Sequence, residues 1–164
     1  MNSLIIHPAT RDDIPALLSL IRGLAAYEKK PHAVVATEND LLRDAFGPRP
    51  KFRALIGEWK GQPAGYASFF HFYSTYQGRS ALFLEDLFVL DKYRGNGIGM
   101  ALLSAVAKLA VDEGCFGLRW EVLDWNHPAV EFYKKLGATF LNERKVVAFD
   151  ENAIRRVAAA CESF

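Results

Sequence analysis

The spacing of hydrophobic residues changes along the chain, and each change marks a predicted element. Short apolar runs bounded by turn residues predict strands, whereas apolar residues three and four positions apart predict amphipathic helices. The predicted strands cover Ser3 to His7, Phe52 to Trp59, Ala64 to Tyr73, Leu82 to Leu90 and Phe116 to Leu123, with two more near Thr139 and over Lys145 to Phe149. The predicted helices lie around Ile14 to Leu24, Leu41 to Ala45, Ile98 to Ala110 and Ala129 to Leu136, with a last one from about Glu151.

Local signals at the element ends support this assignment. Thr37 followed by Asp40 is a variant of the capping box that starts the second helix. Gly114 and Gly137 are helix stop signals, and Gly61-Gln-Pro predicts a hairpin turn. The order βααβββαβαβ predicts an α+β fold with a mixed, largely antiparallel sheet.

Length and composition narrow the class of protein. The chain has 164 residues, 51% of them hydrophobic, which predicts a single domain over residues 1–164. A net charge of +1, with both signs spread along the chain, indicates neither a nucleic acid nor an anionic membrane as partner. No apolar run reaches the roughly 18 residues of a membrane span, and the N-terminal apolar stretch is too short for a signal peptide. We therefore expect a soluble, cytoplasmic protein.

Metal and disulfide chemistry are not indicated. Cys115 and Cys161 lack metal-ligand spacing, and without a secretion signal they predict free thiols. The four histidines are scattered along the chain, so no metal site follows from spacing.

The segment between the fourth strand and the third helix, Arg94-Gly95-Asn96-Gly97-Ile98-Gly99, has three glycines at alternate positions. Glycines let the backbone approach a ligand, and a helix N-terminus adds partial positive charge, so the turn predicts an anion cradle, with phosphate as the expected anion. A tight turn with no ligand is the alternative. The ending of a Walker loop is absent, and Met100 breaks the dinucleotide-binding pattern.

Two carboxylates interrupt the apolar strand before this turn. Glu85 and Asp86 are neighbours, so regular strand alternation predicts that they point to opposite faces. An unpaired buried carboxylate is costly, so one interpretation is that each meets a basic partner or a loop N–H. The alternative is a role in chemistry, because an amine substrate arrives protonated, with a pKa of about 10, and must lose a proton before it attacks.

Three motifs together resemble one family. Arg94-x-x-Gly97-x-Gly99 after an apolar strand resembles the acetyl-CoA pyrophosphate loop of the GNAT N-acetyltransferase superfamily. The stretch from Leu84 to Gly99 further resembles its diamine (spermidine/spermine-type) acetyltransferase branch, and Asn126 to Gly137 resembles the GNAT segment N-x-x-A-x-x-F-Y-x-x-x-G. The resemblance implies a GNAT fold, acetyl-CoA as co-substrate, a primary amine of a small molecule as acceptor, and a homodimer.

The resemblance also implies roles for individual residues. Glu85 would contact the acceptor amine and accept or relay its proton, and Tyr133 would protonate the leaving thiolate, with packing alone as the alternative for Tyr133. The Val89 N–H would donate to the thioester oxygen. The residues implied in acetyl-CoA binding are Leu87, Phe88, Val89, Arg94, Gly95, Asn96, Gly97, Ile98, Gly99 and Asn126, although Arg94 is also compatible with a surface position and Asn126 with a simple N-cap. Those implied in acceptor binding are Tyr27, Glu28, Glu85 and Asp86.

Two departures from the diamine branch bear on the acceptor. Relatives carry Tyr-Asp-Pro-Trp where this chain has Tyr73-Ser-Thr-Tyr76-Gln, and an acidic Glu-Glu-Gly-Trp segment is replaced by 142–145, which includes Arg144 and Lys145. Both changes remove anionic or aromatic side chains that would contact a long polycation, so a short amine is favoured over spermine as the acceptor. Acetylation of a protein lysine or N-terminus is one alternative. A non-catalytic acyl-CoA-binding module is another, and the presence of both Glu85 and Tyr133 argues against it.

Overall fold

The computed structural model describes residues 3–161 and forms two compact units that divide between Glu121 and Val122. The strands are β1 (Leu4–Pro8), β2 (Arg53–Trp59), β3 (Gln62–Ser74), β4 (Arg79–Val89) and β5 (Leu118–Trp120). The helices are α1 (Ile14–Tyr27), α2 (Glu38–Phe46), α3 (Ile98–Asp112), α4 (His127–Lys135) and α5 (Glu151–Ala158). Single 3₁₀ turns lie at Arg11–Asp13 and Asp91–Tyr93. The prediction of one domain over residues 1–164 stays a prediction.

All five described strands lie in the first unit and form one sheet in the order β1-β2-β3-β4-β5. The pairs β1–β2, β2–β3 and β3–β4 are antiparallel, and β4–β5 is parallel. This confirms the predicted α+β fold with a mixed, largely antiparallel sheet. The order of elements is also as predicted from β1 through α4.

Helices cover both faces of the sheet in the first unit. On one face, Leu17 of α1 and Leu41 of α2 join a buried cluster with Ile56 and Tyr66 of the sheet. On the other face α3 packs so closely that a Cβ added to Gly57 would lie 3.0 Å from Cγ2 of Ile98. Because consecutive strand residues point to opposite faces, Ile56 faces the layer of α1 and α2, and Gly57 faces α3.

The predicted cap of the second helix is present in detail. The Thr37 hydroxyl accepts a hydrogen bond from the Asp40 N–H at 3.2 Å, and the Asp40 carboxylate accepts one from the Thr37 N–H at 2.9 Å. This reciprocal pair satisfies donors that the first helical turn leaves without partners.

Some predicted boundaries are wrong. Gln62 and Pro63 belong to β3 instead of the turn, and strands β3 and β4 extend into the predicted loop at 74–80. Strand β5 has three residues, against the predicted Phe116 to Leu123. The two strands predicted near Thr139 and over Lys145 to Phe149 are absent from the described residues, where 138–150 has no regular element. A strand needs a hydrogen-bonding neighbour, which an alternating sequence cannot supply by itself.

Candidate active site

The glycine turn is an open left-handed loop at the start of α3. Gly95 and Gly97 have φ values of 79° and 77°, a region that side chains other than glycine rarely adopt. A Cβ added at either residue would meet no atom within 4 Å. The glycines are therefore required by backbone conformation and not by crowding from any other part of residues 3–161.

The start of α3 has backbone N–H groups that suit an anion. Gly97 is the N-cap of α3, and its carbonyl accepts from the Ala101 N–H at 3.0 Å. The N–H groups of residues 98–100 come before this first helical bond. They have no acceptor within the helix, because the residues four positions earlier lie outside it. These N–H groups carry the positive end of the helix dipole, so the loop fits a phosphate or pyrophosphate group.

Asn96 stabilises the loop from within. Its side-chain amide donates to the carbonyls of Tyr93 and Arg94, at 2.9 Å and 3.3 Å. These bonds tie the turn to the preceding 3₁₀ segment. Asn96 thus has a structural role in this conformation, and its predicted contact with acetyl-CoA stays a prediction.

The Arg94 side chain turns back toward the sheet. Its Nε donates to the Val89 carbonyl at 3.1 Å, and its Nη2 lies 2.9 Å from an Asp91 carboxylate oxygen. The guanidinium also lies 4.5 Å from the centre of the Tyr27 ring, a cation–π distance. The predicted contact of Arg94 with pyrophosphate stays a prediction.

One edge of β4 carries no neighbouring strand beside the glycine turn. Strand β5 pairs with β4 only at Leu82, Phe83 and Leu84. Among the described residues, the β5-facing edge of β4 therefore has no strand partner from Glu85 to Val89. Such an edge offers backbone N–H and C=O groups to an extended ligand, in the way that a peptide adds to a sheet. The predicted backbone contacts of Leu87, Phe88 and Val89 with acetyl-CoA are compatible with this geometry.

The two carboxylates of β4 lie at a β-bulge. Ser68 pairs with Asp86 and Phe69 pairs with Leu84, so Glu85 is the extra residue on β4. In a bulge, two residues of one strand oppose a single residue of the other and the alternation is interrupted. The bulge removes the regular pleating on which the opposite-face prediction for Glu85 and Asp86 rested, so that prediction stays a prediction. Bulges frequently re-aim side chains next to active sites.

Both carboxyl groups hold their protons more tightly than a free side chain. The exposed Glu85 side chain is still partly desolvated, which raises its pKa, and the neighbouring charges of Asp86 and Glu121 raise it further. Burial also raises the pKa of Asp86, against smaller opposing effects of the Ser68 and Tyr66 hydroxyls. Ser68 donates to Asp86 at 2.8 Å, so within residues 3–161 this partly buried carboxylate is paired with a hydroxyl and not with a basic group. A carboxylate with a raised pKa is a better proton acceptor at neutral pH.

Tyr66 is a site residue that the sequence analysis missed. Its side chain is fully buried, and its hydroxyl has no hydrogen-bond partner among the described residues. Such an unsatisfied group costs about 1–3 kcal/mol. Burial raises the pKa of Tyr66 most, followed by the charge of Asp86 and the approach of that carboxylate to the hydroxyl, and then by the charges of Glu28 and Glu85. The hydroxyl is thus close to Asp86, although no partner meets hydrogen-bond geometry among the described residues. The sequence signal was two hydroxyl residues, Tyr66 and Ser68, at alternate positions of an apolar strand.

The end of α1 lies beside the same strands. Glu28 is the C-cap of α1, and Tyr27 is its last residue. The Tyr27 ring centre lies 6.4 Å from that of Phe88, which in turn lies 6.5 Å from that of Tyr66. The predicted acceptor residues thus lie on neighbouring elements of the first unit, Tyr27 and Glu28 at the end of α1 and Glu85 and Asp86 on β4.

Tyr133 and Asn126 lie in the second unit. Asn126 is the N-cap of α4, and its side-chain oxygen accepts from the Ala129 N–H at 3.4 Å. Tyr133 is buried, with its ring centre 5.3 Å from that of Phe132, and burial raises the pKa of its phenol. This keeps the proton on Tyr133 at neutral pH, and it widens the pKa difference from an ordinary thiol, about 8.5. The catalytic prediction for Tyr133 stays a prediction.

The fold also assembles a group of side chains that chain spacing did not reveal. Potential ligand atoms of His71, Glu113 and Cys115 all lie within 4.8 Å of one another. Glu113 already accepts from Arg53 at 2.7 Å and lies 2.8 Å from Nε2 of His71. These contacts form an ion-pair network in which Arg53 supplies a positive charge, and the prediction of no metal stays a prediction.

Among residues 3–161, no helix is long and apolar enough to cross a membrane.

Comparisons with known proteins agree with this geometry. The Acetyltransferase (GNAT) family model matches residues 18–138. Thialysine N-epsilon-acetyltransferase of Sus scrofa is 40% identical over 169 residues, covering 96% of this chain and 99% of that protein. The human spermidine/spermine N(1)-acetyltransferase-like protein 1 is 34% identical over 147 residues, covering 85% of this chain and 21% of that protein. A solved V. cholerae integron cassette protein has a TM-score of 0.82 at 24% identity, covering 98% of this chain and 100% of its own.

The chain belongs to the GNAT acetyltransferase family and is an acetyl-CoA-dependent N-acetyltransferase. The resemblance noted from the glycine turn and the segment before it is confirmed at the level of the family and its relatives.

Proposed function

We propose that the chain transfers the acetyl group of acetyl-CoA to a primary amine of a short acceptor, a diamine or a lysine-like amino acid. The observation that carries this proposal is the pair of carboxylates, Glu85 and Asp86, at the bulge of β4 beside its unpaired edge. A cationic amine is attracted to such a group of acids, which Glu28 enlarges. The Sus scrofa relative, a thialysine N-epsilon-acetyltransferase by name, supports an acceptor of this kind.

Acetyl-CoA supplies the activated acetyl thioester. The open N–H groups at the start of α3 would hold its pyrophosphate, and the unpaired edge at Leu87 to Val89 would hold its extended arm. Arg94 would contribute to pyrophosphate binding by exchanging its ion pair with Asp91 for one with the phosphate. The pair with Asp91 is weak because Asp91 is exposed.

Glu85 would accept the proton of the amine, directly or through water. Its pKa lies above the usual value for a carboxylate, which brings it closer to that of the amine. The adjacent negative charge of Asp86 would keep the incoming ammonium bound while the proton is removed.

Tyr133 would return a proton to the departing thiolate. Burial keeps its phenol protonated at neutral pH. The same desolvation acts on a thiolate inside the protein and raises its basicity, which narrows the difference between the two groups.

The composition of the loop between β3 and β4 favours a short acceptor. Tyr76 in that loop is 99% exposed, and neither an acid nor a tryptophan is present over Ser74 to Gln77. Each further ammonium of spermine loses hydration on binding, and only a matching carboxylate offsets this cost. Arg144 or Lys145 would provide a counter-charge for an acceptor that carries its own carboxylate.

We also propose a homodimer, each chain being a single domain. Support comes from apolar side chains after α4, since Val146, Val147 and Phe149 are 76%, 87% and 65% exposed. Exposed apolar residues that lie close together frequently mark interaction surfaces. Sedimentation at micromolar concentration should give twice the chain mass, and a monomer would contradict this part of the proposal.

The function is tested by measuring thiol release from acetyl-CoA over a panel of amines. The panel should contain 1,4-diaminobutane, lysine, thialysine, spermidine and spermine, compared by kcat/KM. We expect the best short amine to exceed spermine at least tenfold, about 1.4 kcal/mol in transition-state binding. Glu85→Gln should abolish most activity, while the exposed matched control Glu143→Gln should keep it. A tenfold preference for spermine or spermidine would restore the polyamine assignment, and no turnover of any amine would refute the proposal.

A further inference from the structure

The buried hydroxyl of Tyr66 needs a functional explanation. It lies on β3 two residues before Ser68, so both side chains extend from the same face of the strand. Ser68 is paired with Asp86 across the sheet, and its hydroxyl donates to that carboxylate at 2.8 Å. The Tyr66 hydroxyl is near enough to influence the pKa of Asp86 but makes no hydrogen bond within the described residues.

A phenylalanine would fill the same space without an unsatisfied polar atom. The ring of Tyr66 packs against Phe88 and against the apolar side chains of α1 and α2. Packing therefore accounts for the ring but not for the oxygen. A polar group that a fold buries without a partner is expected where function requires it.

Asp86 is the group that this hydroxyl can serve. Its carboxylate is partly buried and has one hydrogen bond in the described structure, from Ser68. An ionised carboxylate has about four acceptor sites, so it has room for a second donor. Burial disfavours its charge, and a second donor would favour that charge and fix the direction of the side chain.

We propose that Tyr66 is a positioning residue, whose hydroxyl closes onto Asp86 when the acceptor enters and, with Ser68, holds this carboxylate toward the acceptor ammonium. This inference rests on the proposed function, because it assumes a cationic acceptor beside Asp86. Glu85 keeps its separate role with the proton. Tyr66 and Ser68 then affect acceptor binding without contacting acetyl-CoA.

The first test is Tyr66→Phe, which removes only the oxygen. We expect the KM for 1,4-diaminobutane or lysine to rise about tenfold, the effect of one hydrogen bond to a charged group, with kcat and the KM for acetyl-CoA within about twofold. The free energy of unfolding in urea should stay equal or rise, because an unsatisfied group is removed. Ser68→Ala should raise the same KM, whereas the exposed serine control on α3, Ser104→Ala, should not.

The second test is a double-mutant cycle with Asp86→Asn. If Tyr66 acts through Asp86, adding Tyr66→Phe to Asp86→Asn should change the amine KM by less than about twofold. A full tenfold effect in that background would overturn the proposal. An unchanged KM with a lower free energy of unfolding in Tyr66→Phe would also overturn it, by assigning the hydroxyl to structure alone.

Direct binding separates this inference from the proposed function. Calorimetry with 1,4-diaminobutane and with lysine is carried out on the parent and on Tyr66→Phe in the presence of CoA. Binding without turnover, weakened about tenfold by Tyr66→Phe, would refute the proposed function and support the positioning role. Absence of amine binding to the parent would refute both, whereas turnover with equal binding in parent and variant would refute only the positioning role.

Discussion

Replacing Gly97 by aspartate provides the sharpest test of the anion cradle. Gly97 has a φ of 77°, and a Cβ there would meet no atom of the described part of the chain within 4 Å. The substitution therefore introduces backbone strain but no clash, and the strain is about 1–2 kcal/mol for an ordinary residue and less for Asn or Asp. Gly97→Asn has nearly the same size and conformational cost as Gly97→Asp, so the two variants differ in charge alone.

The expected loss of affinity follows from Coulomb's law. A carboxylate about 4 Å from one phosphate charge costs about 1 kcal/mol in water and about 4 kcal/mol at an effective dielectric constant of 20. Two pyrophosphate charges then cost about 2–8 kcal/mol, which lowers the affinity for acetyl-CoA about 30-fold or more. Gly97→Asn lacks this repulsion and should bind far more tightly than Gly97→Asp.

Calorimetric titration with acetyl-CoA measures the difference, and urea unfolding checks that both variants are folded. Gly61→Asp is a matched control, because Gly61 has a φ of 74° and equally open space in the turn between β2 and β3. It should leave the affinity unchanged. Equal acetyl-CoA affinity in folded Gly97→Asp and Gly97→Asn, within about threefold, would show that no anion binds at this loop.

Two further predictions concern the titratable residues. Tyr133→Phe should lower kcat by about 10²–10⁴-fold, the usual contribution of general acid catalysis, with acetyl-CoA affinity unchanged in calorimetry. A kcat within twofold of the parent would leave Tyr133 as a packing residue. Partial burial raises the pKa of Glu85 in the folded state, so ionisation of Glu85 destabilises the fold. The stability that is present below the unfolded pKa of about 4.3 is therefore lost as the pH rises through the pKa of the folded state. Glu85→Gln should therefore raise the free energy of unfolding relative to the parent at pH 7 but not at pH 3.5, and an equal difference at both pH values would contradict this assignment.

Residues whose signals are local were predicted well from the sequence. The Thr37 cap and the glycine turn at the start of α3 depend on neighbours within a few positions, so their patterns identify them. The order of elements through α4 follows similarly from hydrophobic period. The C-terminal strands were predicted wrongly, because alternation near Val146 and Val147 does not provide a neighbouring strand.

The chemistry around Asp86 was decided by the tertiary structure. The bulge at Glu85 arises from the pairing of β3 with β4, and it cancels the alternation on which the opposite-face prediction rested. The contact between Ser68 and Asp86 joins residues 18 positions apart, and the burial of Tyr66 requires α1 and α2 to pack on its face. The sequence by itself determined the order of helices and strands through α4 and the position of the glycine turn, because these depend on nearby residues. Only the tertiary structure decided which carboxylates lie together and how strongly each holds its proton, because burial and long-range pairing exist only in the folded chain.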